Sequence, residues 1–94
     1  MNQKIQLIHP QGKNAISMEE EKYDCIKTSL LRCLKEKVEV THKELQDYIN
    51  KDFRENKIKF QGSLEWHLEW VKLDLEARKE IKRVKVKSLY KYSL

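Results

Sequence analysis

The sequence predicts an α+β domain that contains three helices, a small antiparallel sheet and an extra strand at the N-terminus. Apolar side chains recur every three or four residues in three segments, as they do on the buried face of a helix. Shorter segments beside and between them alternate apolar and polar residues, as a half-buried strand does. The helical segments are residues 18–36, 41–53 and 63–79, and the strand segments are residues 3–8, 38–40 and 81–94.

The whole chain of 94 residues is predicted to be one domain, because this length supports a single modest core. Hydrophobic residues make up 39% of the chain, more than disordered chains contain. Residues 1–16 are expected to form the first strand and a loop, and residues 17–80 the three helices with the short strand at 38–40. The last strands follow in residues 81–94.

Three features of the sequence predict a cytoplasmic protein. It contains no run of about 18 apolar residues that could span a membrane, and its first residues lack the apolar stretch of a signal peptide. Cys25 and Cys33 lie on one predicted helix, about 12 Å apart along its axis, which is beyond the reach of a disulfide. Free thiols favour a reducing compartment.

Three polar motifs predict where the helices begin. Ser17-Met18-Glu19-Glu20 and Thr41-His42-Lys43-Glu44 both fit the capping box, in which a hydroxyl and a carboxylate satisfy backbone N–H groups at a helix start. Ser63 is expected to cap the third helix. The predicted buried stripes are Tyr23, Ile26, Leu30, Cys33 and Leu34, then Leu45, Tyr48, Ile49 and Phe53, and finally Leu64, Leu68, Val71 and Leu75.

The net charge of +5 resides in the C-terminal segment. Residues 81–94 hold five of the 20 basic residues and none of the 15 acidic ones, so residues 1–80 are neutral. Such a basic strip can attract phosphates, but lysines on a strand edge also prevent aggregation. A hairpin turn is expected near Lys87-Ser88. The alternation assigns Val84, Val86, Ser88, Tyr90 and Tyr92 to one side and Lys85, Lys87, Leu89 and Lys91 to the other.

Two segments, taken with the order of the elements, resemble the winged helix-turn-helix superfamily. The segment Val38-Glu39-Val40-Thr41-His42-Lys43-Glu44-Leu45 is similar to the first small strand and the capped second helix of that fold. Residues 71–84 are similar to the end of its third helix and the start of the hairpin called the wing, with Leu75 and Ile81 closing the core. The resemblance covers residues 18–92 and implies a winged-helix-like domain.

This resemblance implies that the third helix enters the major groove of duplex DNA while the wing contacts the backbone. The third helix departs from the pattern, because Glu65 and Glu69 lie one turn apart where phosphates would approach. Arginine and asparagine, rather than glutamate, dominate base reading. The candidate nucleic-acid-binding residues are therefore the cations of the wing and of the loop before the third helix, namely Lys82, Arg83, Lys85, Lys87, Lys91, Lys57 and Lys59.

The face of the third helix opposite its core stripe is also apolar, and it carries Trp66, Trp70 and Leu73. A helix that is apolar on two sides must be covered on both. Three explanations remain open for the tryptophans: residues 3–16 fold back over them, a second subunit covers them at an interface, or they stack on bases.

Nothing in the sequence predicts an enzyme, a metal site or a cofactor. The three histidines are scattered, no Cys-x-x-Cys is present, and the two glycines are isolated. The leading functional hypothesis is therefore a small nucleic-acid-associated protein, with regulation as one role open to it, whose basic wing contacts the backbone of duplex DNA. The alternative is a protein–protein interaction or dimerisation module with the same fold that does not read DNA.

Overall fold

The computed structural model describes residues 3–94, and within them the chain forms three helices and two small antiparallel sheets. The predicted α+β class with three helices is therefore confirmed. In chain order the elements are β1 (Lys4–Gln6), β2 (Ser17–Glu19), α1 (Glu20–Lys37), β3 (Glu39–Thr41), α2 (His42–Glu55), α3 (Leu64–Ala77), β4 (Lys82–Val86) and β5 (Leu89–Ser93).

The core lies among the three helices and is closed by residues of β2, β3 and β5. The predicted stripe of α1 is buried throughout, and α2 and α3 contribute the residues expected of them, with Tyr48 and Leu64 half-buried at the margins. Ile81 and Tyr92 close the core beneath the C-terminal hairpin. The buried apolar residues are Leu7, Met18, Tyr23, Ile26, Leu30, Cys33, Leu34, Val40, Leu45, Ile49, Phe53, Leu68, Val71, Leu75, Ile81 and Tyr92.

The starts of α2 and α3 confirm two of the predicted caps. The Thr41 hydroxyl accepts from the Glu44 backbone N–H at 3.3 Å, and the Thr41 N–H donates to the Glu44 carboxylate at 3.0 Å. This reciprocal pair also lowers the pKa of Glu44, because the carboxylate accepts from the Thr41 backbone and side chain. At α3, the Ser63 hydroxyl accepts from the Trp66 N–H at 3.1 Å.

The predicted capping box at Ser17 is wrong. Ser17 and Met18 belong to β2, which pairs antiparallel with β1 and brings Met18 opposite Ile5. α1 begins two residues later than predicted, after Glu19, which makes no side-chain capping bond. Pairing with β1 satisfies the backbone of this segment and buries Met18, so the tertiary partner overrides the local helix-start signal.

The second sheet has the strand order β3-β5-β4, with all neighbours antiparallel. Its edge strand β3 is shifted by one residue from the prediction, because Val38 adopts a left-handed φ of 68° at the end of α1. The predicted extra N-terminal strand is present, but it forms a separate sheet with β2. α3 ends at Ala77, two residues earlier than expected.

Candidate functional surfaces

The hairpin formed by β4 and β5, with its turn at residues 87–88, carries most of the C-terminal basic residues. We call it the wing. Lys87 is the first turn residue and adopts a left-handed φ of 58°, a conformation that favours glycine in two-residue hairpin loops. The turn therefore lies where the sequence analysis expected it, although the usual turn residue is missing.

The expected division of side chains between the two faces of the wing is wrong. Val86 pairs with Leu89, and Arg83 pairs with Tyr92. Directly opposed residues of an antiparallel pair project to the same face, so the turn changes which residues share a side. One face carries Arg83, Lys85, Tyr90 and Tyr92, and the other carries Lys82, Val84, Val86, Leu89 and Lys91.

The five cations of the wing differ in their partners. Arg83 lies 3.1 Å from Glu76 of α3, and Lys91 lies 3.3 Å from Glu39 of β3. Lys82, Lys85 and Lys87 are exposed and form no ion pair with any of residues 3–94. Of the five basic residues in the predicted strip, three lysines therefore have no ion-pair partner among residues 3–94.

The outer surface of α3 is acidic on the side that faces the wing. Glu65 and Glu69 are exposed there. Glu76, one turn beyond Lys72, is the third carboxylate on this side of the helix. Trp66, beside them, keeps 48% of its surface exposed. Trp70 and Leu73 are half-buried. A duplex entering between α3 and the wing would meet three carboxylates along the helix.

The N-terminal segment covers one of the two tryptophans. The His9 ring packs edge-on against Trp70 with centroids 6.5 Å apart, and the Ile8 N–H donates to Asp74 of α3 at 2.9 Å. Trp66 remains uncovered by this segment. The explanation that residues 3–16 fold back over the tryptophans therefore holds for Trp70 and does not account for Trp66.

A row of aromatic rings runs from the N-terminal segment across α3 to the loop that precedes it. Trp70 contacts Trp66 edge-on, Trp66 contacts His67 at 4.9 Å, and His67 contacts Phe60 at 4.9 Å between centroids. The loop at the Phe60 end of the row carries Lys57 and Lys59, the two loop cations that were predicted to bind nucleic acid. They do not lie on the wing. The structure thus separates them from the other candidate residues in the fold.

A buried lysine joins α3 to the wing. Lys72 is only 4% exposed, and its ammonium lies 3.1 Å from the Glu69 carboxylate. The ammonium also donates to the Tyr92 hydroxyl at 3.1 Å and lies 4.4 Å from the centroid of the Tyr92 ring. The same ammonium lies 2.6 Å from Nδ1 of His42. An ammonium only donates hydrogen bonds, so a bond between these two groups requires the lone pair on Nδ1, while the Glu69 carboxylate lies 3.2 Å from the same nitrogen.

The environment of His42 lowers its pKa, because burial disfavours the charged ring and the neighbouring Lys72 ammonium repels it. An unfolded chain protonates this ring near pH 6.5, whereas the folded chain does so only at lower pH. Below about pH 6.5 the unfolded state therefore binds more protons, and stability falls as the pH falls.

We expect the His42→Gln variant to lose this pH dependence. Urea unfolding at pH 7.5 and at pH 5.5 should show a decrease in the unfolding free energy of the parent chain, to which His42 contributes at most about 1.4 kcal/mol per pH unit. The variant should show a smaller decrease, since glutamine can accept from Lys72 and does not titrate. Equal decreases in both proteins would contradict a neutral His42 in the fold.

A second buried charge, Asp74, lies on the opposite flank of α3. Its carboxylate accepts from the Ile8 N–H, from the Tyr23 hydroxyl and from Arg78 at 2.9 Å. Burial and the bond to Asp74 both raise the pKa of Tyr23, so the phenol keeps its proton and donates it to the carboxylate. Asp74 therefore ties together α1, α3 and the N-terminal segment.

The sequence analysis missed both buried charges, although their spacing gave a signal. Lys72 lies four residues after Leu68 and three before Leu75, and Asp74 lies three after Val71. These spacings place both charged residues next to the core stripe of α3. Charged residues at such positions are rarely buried without partners. Glu69 and Arg78 are near in sequence, whereas the other partners come from distant segments.

Within residues 3–94 no group of three histidine, cysteine or carboxylate side chains converges as a metal site would require. None of the described helices is long and apolar enough to cross a membrane.

Comparison with known proteins places the chain in a family. Neither the curated proteins nor the solved structures contain a significant match. The model of a family of unknown function, DUF6958, matches residues 4–91, which include all three helices, the first sheet and all of the second sheet except the last two residues of β5. The chain therefore belongs to the DUF6958 family.

Proposed function

We propose that this protein is a small cytoplasmic nucleic-acid-associated protein with a winged-helix-like fold, and that its wing contacts the backbone of duplex DNA. The element order α1, β3, α2, α3, β4, β5 and the sheet order β3-β5-β4 support the assignment of the fold. The function rests on charge and not on the fold, since one fold serves many functions.

The observation that carries this proposal is the set of three exposed lysines on the wing, Lys82, Lys85 and Lys87, that form no ion pair within residues 3–94. Lys82 lies at the base of the hairpin, Lys85 lies on the opposite face nearer the turn, and Lys87 lies at the tip, so the three cations are spread along the length of the wing. Lys87 also occupies a left-handed position that glycine would adopt at lower cost. A charge held at a strained tip supports a role in binding.

In this proposal α3 does not read bases. Glu65, Glu69 and Glu76 would repel the phosphates on either side of a groove, and Arg83 is already paired with Glu76. Lysines act as point charges on phosphates and position a protein without specifying sequence. The expected binding is therefore weak, salt-sensitive and independent of sequence.

Fluorescence anisotropy with a labelled mixed-sequence duplex tests the proposal. Three phosphate contacts predict that affinity falls about 40-fold between 50 and 200 mM salt. The variant with Lys82→Glu, Lys85→Glu and Lys87→Glu should lose binding at low salt while it keeps its thermal stability, because all three side chains are exposed.

A control variant with Lys4→Glu, Lys13→Glu and Lys35→Glu changes the net charge by the same amount at exposed lysines away from the wing. It should retain most of the affinity. Equal losses in the two variants would indicate that only net charge matters, and unchanged binding in the wing variant would refute the wing contact.

A second candidate function is a protein–protein interaction module that binds no DNA. The observation that favours it is Trp66, which stays 48% exposed beside Glu65 and Glu69 on α3. Absence of duplex binding at low salt would leave this candidate as the better explanation.

A further inference from the structure

The exposed indole of Trp66 lies at the centre of the aromatic row. Within one copy of the chain it cannot reach the Phe60 end of that row, because the His67 ring stands between the two, with both centroids 4.9 Å from its own. Tryptophan is enriched among the residues that carry the binding energy of protein interfaces. Its exposed ring therefore requires a partner from outside the molecule if it is to be buried.

A shallow cleft at the Phe60 end of the row has the properties that an indole requires. It lies between α1 and the loop before α3 and measures about 280 Å³. This volume is close to the lower end of the range of about 300–1,000 Å³ that is usual for ligand sites, and it can accommodate a single large side chain. Its apolar lining comes from Cys25, Ile58 and Phe60, and its charged lining includes Glu21, Lys22 and Lys59.

One charge beside the indole is complementary to one charge at the cleft, whose lining carries two glutamates and two lysines. Glu65, next to Trp66, is exposed and forms no ion pair within residues 3–94, and the same holds for Lys59 in the cleft lining. The indole N–H requires an acceptor when it is buried, and Glu21 at the cleft supplies a carboxylate. Because each copy of the chain has both the indole and the cleft, two copies can satisfy each other across a two-fold axis.

We infer that this chain self-associates, and that Trp66 of each copy occupies the Phe60 cleft of the other, with Glu65 beside Lys59 of that second copy. None of these contacts uses Lys82, Lys85 or Lys87. The inference is therefore independent of DNA binding, and either one can fail without the other.

Sedimentation velocity from about 1 µM to about 1 mM gives the first test. The parent chain should change from monomer to dimer over this range, and Trp66→Ala should weaken the dimer roughly 30-fold. Tyr90→Ala is the matched control, because Tyr90 is a similarly exposed aromatic residue on the wing, and it should leave the dimer unchanged. A parent chain that stays monomeric at the highest concentration, or a dimer that Trp66→Ala does not weaken, would overturn the inference.

A charge exchange tests the pairing itself. Glu65→Lys and Lys59→Glu should each weaken self-association, because each places like charges together at both contacts of the dimer. A mixture of the two variants should form a heterodimer in preference to either homodimer, since both contacts become attractive again. Native mass spectrometry with one variant labelled with ¹⁵N counts the species, and a statistical mixture would refute the Glu65–Lys59 pairing. Recovery in the mixture also excludes misfolding as the cause of the loss.

The alkylation rate of Cys25 reports on the cleft directly. Cys25 is half-buried in the cleft lining, whereas burial of Cys33 in the core raises its pKa to about 11 and leaves it unreactive. Alkylation of Cys25 in the parent chain should be slower at about 1 mM, where the dimer is populated, than at about 1 µM, and this difference should be much smaller for Trp66→Ala. Equal rates in monomer and dimer of the parent chain would place the interface elsewhere and overturn the inference.

Discussion

Replacement of Asp74 with alanine is expected to destabilise the protein by about 3 kcal/mol. The carboxylate is fully buried and accepts from Ile8, Tyr23 and Arg78. Its removal leaves the buried Tyr23 hydroxyl and the Ile8 N–H without their acceptor. Arg78 is partly exposed and can be solvated by water, which keeps the expected loss below that of a fully buried ion pair. Urea unfolding measures the change.

The Asp74→Ala variant should also loosen the N-terminal segment, because the Ile8 N–H is one of the bonds that hold it to α3. Hydrogen exchange of residues 5–8 should therefore accelerate more than exchange in the middle of α1. Asp47→Ala is the matched control: Asp47 is 68% exposed and pairs only with Lys43, so its loss should cost less than about 0.5 kcal/mol. Similar losses for the two aspartates would contradict the anchoring role of Asp74.

The Tyr92→Ala substitution is expected to cost about 3–4 kcal/mol. The Tyr92 ring is buried at the base of the wing and covers the Lys72 ammonium, and its hydroxyl accepts from that ammonium. Tyr92→Phe keeps the ring and loses only the hydroxyl, so it should cost about 1 kcal/mol. Chemical unfolding of the three proteins separates the contribution of the ring from that of the hydrogen bond.

Tyr90 provides the control for Tyr92, because it projects from the same face of β5 and lies two residues nearer the turn. Tyr90 is 44% exposed, so Tyr90→Ala should change stability by no more than about 0.5 kcal/mol. A large loss at Tyr90, or a small one at Tyr92, would show that the core does not extend beneath the wing as described.

The helices were predictable because their signals are local. The Thr41 capping box and the Ser63 cap both operate within one turn of helix, and the buried stripe of α1 follows from its spacing alone. Interactions between residues three or four apart are fixed once a helix forms. For these segments no distant partner changed the outcome.

The Ser17 motif shows where local reasoning fails. It has the same residue types as the Thr41 motif, yet Ser17 pairs with Gln6 in a strand and Met18 enters the core. The Thr41 segment differs because its strand, β3, ends at Thr41 and leaves the hydroxyl available to cap α2. The two motifs cannot be separated without knowing the strand that pairs with each.

The candidate site was predictable in part. The concentration of basic residues at the C-terminus could be read from the sequence, as could the apolar outer face of α3. The sequence could not show which cations of the wing form ion pairs. Their partners lie in other elements: Glu39 of β3 pairs with Lys91, and Glu76 of α3 pairs with Arg83. The two faces of the wing were also misassigned, because the turn interrupts the alternation.

The sequence by itself determined the α+β class, the positions of the three helices and the location of the net positive charge. All of these depend on residue types and on spacings of a few residues. Only the tertiary structure decided that β1 pairs with β2, that Lys72 and Asp74 are buried with partners, and that Trp66 stays exposed while Trp70 is covered. The reason is physical: these outcomes depend on contacts between residues far apart in the chain, such as Ile8 and Asp74, which are 66 positions apart, and such contacts leave no periodic signal in the sequence.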